Sequence, residues 1–214
     1  EDGSITTNSI FMMADSGYLV GGTTWTFSRP DVRLLGLDLI VIDEAGQFSL
    51  ANSLAVISAA KRALLLGDPQ QLPQVSQGEH PEPVNESVLS HLLGDRKTMP
   101  KSLGYFLEKT FRLHPKLAIP VSRLQYEDRL YSDDRCQRRS LEGVEPGLHI
   151  VDVDHLGNTV SSVEEAEELL TRIPQLIGKA WTAIDSQGQP TAPRPLTQQD
   201  ILVVTGYNAQ VRYL

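Results

Sequence analysis

Residues 37–47 read LDLIVIDEAGQ, an apolar run that ends in an acidic pair, a small-residue pair and a glutamine. A short run that is apolar at nearly every position is typical of a strand buried on both faces of a parallel sheet. Asp43 and Glu44 would then follow the carboxyl end of that strand, where α/β proteins bind phosphate ligands. The stretch therefore predicts an α/β fold with a phosphate-directed site that starts at Asp43.

A second apolar run, residues 63–66, leads into GDPQQLP at residues 67–73. Gly67 permits a close backbone approach and Pro69 stiffens the turn. Gln71 carries a neutral amide, which can bind a phosphate or its attacking water without competing for the metal. Two strand ends that bear acid and amide groups, separated by one helix-length segment, indicate a nucleotide-hydrolysing site.

The acidic pair suits that chemistry. Asp43 can hold Mg²⁺, directly or through water, because this cation prefers oxygen ligands and bridges nucleotide phosphates. Glu44 can position and deprotonate the attacking water. An Asp-Glu pair alone more often marks a solvated turn, but the buried run before it and Gln47 after it favour the site. The chain contains no Gly-x-x-x-x-Gly-Lys-Ser/Thr, so half of the phosphate cradle is missing from it.

Strand-like and helical patterns alternate along the chain, which predicts parallel sheets with right-handed crossovers. Apolar periodicity predicts helices over residues 48–57 and 166–180. We predict two partial lobes, residues 1–98 and 99–214, with a linker within residues 94–102. The strand-like runs are residues 18–22, 37–42, 63–66, 148–153 and 201–205.

The composition, 40% hydrophobic and 21% charged over 214 residues, is that of an ordinary globular protein. Its apolar runs are too short to cross a bilayer, so we expect no membrane partner. The single cysteine, Cys136, excludes an internal disulfide framework and is compatible with the intracellular, cytoplasmic location that we expect. The formal net charge of −8 argues against binding nucleic acid by bulk attraction but is compatible with a local groove. The chain starts without methionine and stops inside a helical pattern, so we expect it to be an excerpt of a longer protein. The oligomeric state stays open.

Five motifs lie along the chain: VGGTTW at 20–25, DEAGQ at 43–47, GDPQQL at 67–72, TFRLHP at 110–115 and VVTGYNAQV at 203–211. In this order they resemble superfamily 1 DNA/RNA helicases, in the branch that includes the helicase of nonsense-mediated mRNA decay. This resemblance implies an AAA-type ATPase of the P-loop NTPase class. It implies two RecA-like lobes of parallel sheets flanked by helices, with ATP and Mg²⁺ between them, and single-stranded DNA or RNA as the partner.

The resemblance also implies roles for individual residues. Glu44, Gln71 and Arg112 would be catalytic, with Gln71 sensing the γ-phosphate and Arg112 acting as an arginine finger from the second lobe. DEAGQ would be the Walker B box, with Asp43 as the Mg²⁺ ligand. The cofactor-binding residues would be Asp43, Gln47, Asp68, Phe111 and Tyr207. The strand contacts would be Thr23, Thr24 and Trp25, with hydroxyls for phosphates and a ring for stacking.

Some positions depart from the family pattern or fit a second interpretation. Phe111 replaces the usual tyrosine that borders the base, so stacking survives but a hydroxyl is lost, and Gly206 replaces a proline. Trp25 fits an inward-packed ring about as well as a nucleic-acid contact. His114 is interpreted as a capping or packing residue, because no second metal ligand lies at a suitable spacing. The arginines within residues 135–139 fit a solvated loop better than a binding patch.

The leading hypothesis is the central part of an ATP-dependent helicase. The family's phosphate-binding lysine would precede Gly3 and its later motifs would follow Leu214, so the isolated piece is expected to be inactive. One alternative is a nucleotide-gated interaction module that binds partners without unwinding. Another is a structural piece that is functionally silent by itself. The choice between DNA and RNA, the direction of travel and any fused domains are not readable from the sequence.

Overall fold

The computed structural model describes residues 17, 19–72, 78 and 80–214. The chain divides into two compact units, Glu1–Gly104 and Tyr105–Leu214. Short strands and helices occur in both, so the fold is a mixed α/β one with small parallel sheets. None of the described helices combines the length and the apolar character that crossing a membrane requires.

The first unit contains the predicted pair of parallel strands. β1 (Ile40–Ile42) pairs with β2 (Ala63–Leu65) in parallel, with Ile40 opposite Ala63 and Ile42 opposite Leu65. Helix α3 (Leu50–Ile57) lies between the two strands in the chain. Ser49 caps α3, since its side chain accepts the N–H of Asn52. The elements of this unit are α1 (Thr24–Phe27), α2 (Pro30–Arg33), β1 (Ile40–Ile42), α3 (Leu50–Ile57), β2 (Ala63–Leu65) and α4 (Val88–Leu93).

The core of the first unit lies on one side of β1. Ile40 and Ile42 are each 5% exposed, whereas Val41 between them is 49% exposed, as the alternation of a strand requires. Burying an isoleucine or valine side chain stabilises the fold by about 1.5–3 kcal/mol. The core cluster consists of Ile40, Ile42, Ala45, Val56, Val88 and Leu89. It thus extends past the end of β1 to Ala45, directly after the acidic pair.

The second unit has one parallel and one antiparallel sheet. β3 (Lys109–Thr110) and β4 (Tyr131–Ser132) pair in parallel around α5 (Pro115–Gln125). β5 (Ser140–Leu141), β6 (Ala180–Thr182) and β7 (Arg194–Pro195) form an antiparallel sheet that the alternating pattern did not predict. The cause is local, because the Asp185 carboxylate accepts the N–H groups of Gln187 and Gln189 and so closes a turn between β6 and β7. The elements are β3 (Lys109–Thr110), α5 (Pro115–Gln125), β4 (Tyr131–Ser132), β5 (Ser140–Leu141), α6 (Val163–Leu176), β6 (Ala180–Thr182), β7 (Arg194–Pro195) and α7 (Asn208–Val211).

The strand predictions for residues 148–153 and 201–205 are wrong. The strand predicted for residues 18–22 is also wrong over residues 19–22, and Tyr18 lies outside the described residues. These segments have no strand partner within the described part of the chain, and Ile150 and Leu202 are 81% and 86% exposed. An apolar run becomes a strand only where another strand completes its hydrogen-bond ladder, and the pattern of one run does not contain that information.

The helix predicted over residues 166–180 is α6, which begins earlier and ends earlier than expected. Ser162 caps it by accepting the N–H of Glu165, and the acidic residues Glu164 and Glu165 occupy the first turn. The pKa of Glu164 lies below its usual range because its own backbone N–H and the side chains of Asn158 and Ser162 donate hydrogen bonds to it. The helix ends at Leu176, and the chain then turns into β6.

Candidate functional site

The loops that follow β1 and β2 lie against each other, as expected at the carboxyl edge of a parallel sheet. The Ala45 N–H donates to the Leu66 carbonyl at 2.8 Å. A Cβ atom on Gly46 would lie 2.0 Å from the carbonyl oxygen of Asp68, and one on Gly67 would lie 2.6 Å from the nitrogen of Ala45. Both positions therefore require glycine, because a side chain there would collide with the backbone of the opposite loop.

Side chains also join the two loops. Gln47 Nε2 donates to Gln71 Oε1 at 3.4 Å, and Gln71 Nε2 donates to Asp68 Oδ2 at 3.4 Å. Asp68 Oδ1 accepts the N–H of Gln70 at 3.0 Å, which fixes the carboxylate within its turn. The structure thus brings three of the sequence-predicted site residues, Gln47, Asp68 and Gln71, into one series of hydrogen bonds.

Asp43 and Glu44 are both exposed at the end of β1. Asp43 Oδ1 accepts the N–H of Glu44 at 3.0 Å, and Glu44 has a φ of 53°, in the left-handed region that non-glycine residues rarely adopt. Such backbone conformations occur preferentially at functional sites. This conformation turns the chain after β1 toward Gly46. The acidic pair therefore directly precedes the residues that contact the loop after β2.

The donor set fits a magnesium ion that is shared with a nucleotide. Among the described residues there is no group of three or more His, Cys, Asp or Glu side chains that could enclose a metal. Mg²⁺ usually keeps several waters and binds through one or two carboxylates and phosphate oxygens, so it needs no such group. The exposed carboxylate of Asp43 is of the kind that this mode of binding uses.

In the second unit, the segment that carries Arg112 is fixed by side chains around it. Thr110 Oγ1 accepts the N–H groups of Arg112 at 3.2 Å and of Leu113 at 3.5 Å, and Ser132 Oγ donates to the Leu113 carbonyl. The side chain of Arg112 is exposed. The backbone of this loop is therefore held while its arginine side chain faces solvent.

His114 begins α5 as its capping residue. Its Nδ1 accepts the N–H of Lys116 at 3.2 Å, and Pro115 occupies the first helical position. The capping interpretation of His114 is therefore confirmed.

The arginines within residues 135–139 bind protein groups while they remain accessible to solvent, since Arg138 is exposed and Arg135 and Arg139 are half-buried. Arg135 forms an ion pair with Asp133 at 2.7 Å, and its guanidinium lies 5.0 Å from the centroid of the Phe111 ring. Arg138 donates to the carbonyl of Gly188 at 3.2 Å. Arg139, the third of them, donates to the backbone of the Arg112 segment.

The ion pair beside Phe111 shifts the titration of both partners. The side-chain hydrogen bond from Arg135, followed by the bond from its backbone N–H, holds the pKa of Asp133 well below its usual range. Lys109 Nζ, 3.4 Å from the same carboxylate, acts in the same direction. The Asp133 carboxylate in turn raises the pKa of Arg135.

The remaining predicted residues lie apart in sequence from these loops, and all of them except the half-buried Thr24 are exposed. Thr23 precedes α1, which contains Thr24 and Trp25. The Trp25 side chain is 85% exposed, so the alternative of an inward-packed ring is wrong. Tyr207 precedes α7 and is 58% exposed, and its carbonyl accepts the hydroxyl of Thr205 at 3.0 Å.

Two anchoring residues were missed by sequence reasoning. Arg139 was included only in a general basic cluster, because its partners lie 27 and 28 positions earlier in the chain. Gln210 was noted only as part of the segment 203–211. It is 6% exposed, and its amide accepts the Ser162 N–H at 2.6 Å and donates to the Ser162 carbonyl at 2.8 Å. The single sequence signal for Gln210 was its place in that segment.

Comparison with known proteins finds similarity to one protein family and to a helicase. The family described as an AAA domain matches residues 7–77, which is 71 of the 214 residues and includes the loops after β1 and β2 up to Gln71. Among individual proteins, the mouse (Mus musculus) 5'-3' DNA helicase ZGRF1 is 29% identical to this chain over 124 residues. That alignment covers 57% of this chain and 6% of the mouse protein, so the chain spans a small part of this relative. The chain is therefore similar to AAA-type and helicase proteins.

Proposed function

We propose that this chain is the central part of an ATP-dependent superfamily 1 helicase, of the branch that includes the helicase of nonsense-mediated mRNA decay. Such a motor couples ATP hydrolysis to movement along a single nucleic-acid strand. The observation that carries the proposal is the contact between the β1 and β2 loops, where Gln47 Nε2 and Gln71 Oε1 are 3.4 Å apart. The AAA-domain match over the same loops and the similarity to a DNA helicase support it.

In this proposal the first-unit loops prepare the hydrolytic step. When bound, ATP would supply the transferable phosphoryl group and Mg²⁺ would supply neutralisation of its developing charge. Asp43 holds the metal, and the exposed Glu44 carboxylate orients a water and accepts its proton. Gln71, held by Gln47 and Asp68, donates or accepts a hydrogen bond at the γ-phosphate or the water.

The second unit supplies the remaining groups. Arg112 is the arginine finger, and its exposed guanidinium extends from a backbone that Thr110 fixes. Phe111 and Tyr207, which are 55% and 58% exposed, border the base. Residues 1–98 and 99–214 are then parts of two RecA-like lobes inside a cytoplasmic protein.

The nucleic-acid contacts in this proposal lie on α1. The exposed ring of Trp25 stacks on a base, and the hydroxyls of Thr23 and Thr24 bind phosphate oxygens. The name of the mouse relative favours DNA over RNA and travel in the 5'-to-3' direction. A strand-displacement assay with DNA and RNA duplexes that carry either overhang tests both choices.

The variant Glu44→Gln in the full-length protein tests the central assignment. Removing a general base costs on the order of 10²- to 10⁴-fold in rate, so phosphate release should fall by that factor while ATP binding persists. Glu127→Gln is the matched control, because Glu127 is also exposed and has a φ of 54° beside the 53° of Glu44.

Unchanged hydrolysis by Glu44→Gln would overturn the proposal, as would loss of ATP binding together with hydrolysis. ATP hydrolysis without strand displacement would instead favour the nucleotide-gated interaction module. The isolated 214-residue chain should release negligible phosphate, because it contains no Gly-x-x-x-x-Gly-Lys-Ser/Thr.

A further inference from the structure

We propose that Arg139 is a positioning residue that holds the backbone from which the Arg112 finger extends. The proposal rests on the function proposed for Arg112. Arg139 Nη2 donates to the Phe111 carbonyl at 3.1 Å, and its Nη1 donates to the Arg112 carbonyl. One planar guanidinium thus binds two consecutive carbonyl groups, an arrangement that the point charge of a lysine cannot reproduce.

The two sides of the same peptide segment are held by different residues. Thr110 Oγ1 accepts the N–H groups of Arg112 and Leu113, while Arg139 binds the carbonyl groups of Phe111 and Arg112. With both sides fixed, the position of the Arg112 backbone is defined before its side chain meets any ligand. A misplacement of about 1 Å in such a group can lower a rate on the order of 10²-fold.

Arg139 lies directly before the antiparallel sheet of the second unit. It is half-buried, its backbone N–H donates to the Cys136 carbonyl at 3.3 Å, and it directly precedes β5. Ser140 in β5 pairs with Thr182 in β6. The loop of the proposed finger is therefore connected to this sheet through one side chain.

Arg138 provides an internal comparison. It neighbours Arg139, but its guanidinium donates to the Gly188 carbonyl at 3.2 Å and to Gln189 Oε1 at 3.1 Å. If arginines in this region served only to stabilise the fold, truncating Arg138 and Arg139 would affect ATP turnover alike. If Arg139 acts through Arg112, only truncation of Arg139 changes turnover.

The test is a double-mutant cycle on the full-length protein, with steady-state ATP hydrolysis as the readout. Arg139→Ala should lower kcat on the order of 10- to 10²-fold and leave KM nearly unchanged, because the finger acts in the transition state. Arg139→Lys should recover little of that loss, and Arg138→Ala should leave kcat unchanged. The double variant Arg112→Ala/Arg139→Ala should be no slower than Arg112→Ala alone, because the two residues act as one unit.

Hydrogen exchange of the 214-residue chain gives a second readout that does not depend on turnover. Arg139→Ala should speed exchange in peptides that contain the Arg112 and Leu113 amides. Its urea unfolding midpoint should match that of Arg138→Ala. Should the alanine variant fail to fold, Arg139→Gln and Arg139→Lys carry the same comparison.

The outcomes distinguish the role of Arg112 as the finger from the role of Arg139 as its positioning residue. If Arg112→Ala keeps its kcat, both the finger and its positioning residue are overturned. If Arg112→Ala is slow but Arg139→Ala matches Arg138→Ala, only the positioning role is overturned. Multiplicative losses in the double variant would also overturn it, since Arg139 would then act independently of Arg112.

Discussion

Gly46→Ala is the sharpest perturbation of the candidate site, because it separates the two loops without changing a charged or hydrogen-bonding side chain. The added Cβ would lie 2.0 Å from the Asp68 carbonyl oxygen and 2.6 Å from the Asp68 carbonyl carbon. Both atoms belong to the backbone, so no side-chain rotation can relieve the collision. The loop after β2 must therefore move away by about 1 Å to reach a tolerable contact.

The loss of folding stability caused by Gly46→Ala has two parts. Forcing an extra carbon into a well-packed site typically costs about 1–3 kcal/mol. The same displacement stretches the 2.8 Å hydrogen bond from Ala45 to Leu66, and Ala45 is 0% exposed. Leaving its buried N–H without a partner adds about 1–3 kcal/mol. We therefore expect Gly46→Ala to lower the free energy of unfolding by about 2–6 kcal/mol.

Urea unfolding of the chain, followed by circular dichroism, measures this loss, and hydrogen exchange of peptides around Ala45 and Leu66 locates it. Gly21→Ala is the matched control in the same unit, because its Cβ would have no atom of the described residues within 4 Å. The control should change stability by less than about 0.5 kcal/mol or stabilise slightly. A Gly46→Ala variant as stable as the control would refute the close contact between the loops, and with it the geometry of the candidate site.

Two further predictions concern stability. Ser53 is fully buried on α3, and its hydroxyl has no hydrogen-bond partner among the described residues. Ser53→Ala should therefore raise the free energy of unfolding by about 1 kcal/mol, whereas Ser58→Ala, which removes an exposed bond to Ala55, should not. A destabilised Ser53→Ala in urea unfolding would contradict this. Asp133 has a pKa below that of the unfolded chain, so its contribution to stability is present above the unfolded value of about 3.9 and is lost as the pH falls below it. Asp133→Asn should therefore destabilise the chain at neutral pH and much less in acid, as measured by thermal unfolding. An equal loss of stability at both pH values would show that the ion pair is not the cause.

The strand pair and the contact of its loops could be predicted from the sequence, because the information is local. Residues 37–42 and 63–66 are apolar runs that stop at polar turns, and parallel neighbours bring such turns to one edge of a sheet. Gln47 and Gln71 follow these strands at short distances and were expected in the same site. The cap formed by His114 was also predictable, because a single side chain and its neighbouring amide decide it.

The misses share a physical cause, which is dependence on distant partners. The apolar runs at residues 148–153 and 201–205 have the composition of strands, but that composition does not state whether a partner is present. The roles of Arg139 and Gln210 depend on backbone groups tens of residues away in the chain. No periodic pattern in the sequence predicts such contacts. The turn at Asp185 was readable in principle from its Asp and Gly residues, but its effect on strand direction was not.

The buried amide of Gln210 makes this part of the chain sensitive to chemical ageing. Deamidation would replace the Nε2 donor by an oxygen that faces the Ser162 carbonyl at the present 2.8 Å, so two acceptors would meet where a hydrogen bond now lies. The new carboxyl group would have to remain protonated or leave its site, since a buried charge without a partner is costly. Because the amide is 6% exposed, water reaches it mainly when α7 separates from the start of α6. The rate of this single chemical change would thus record how often that end of the second unit opens.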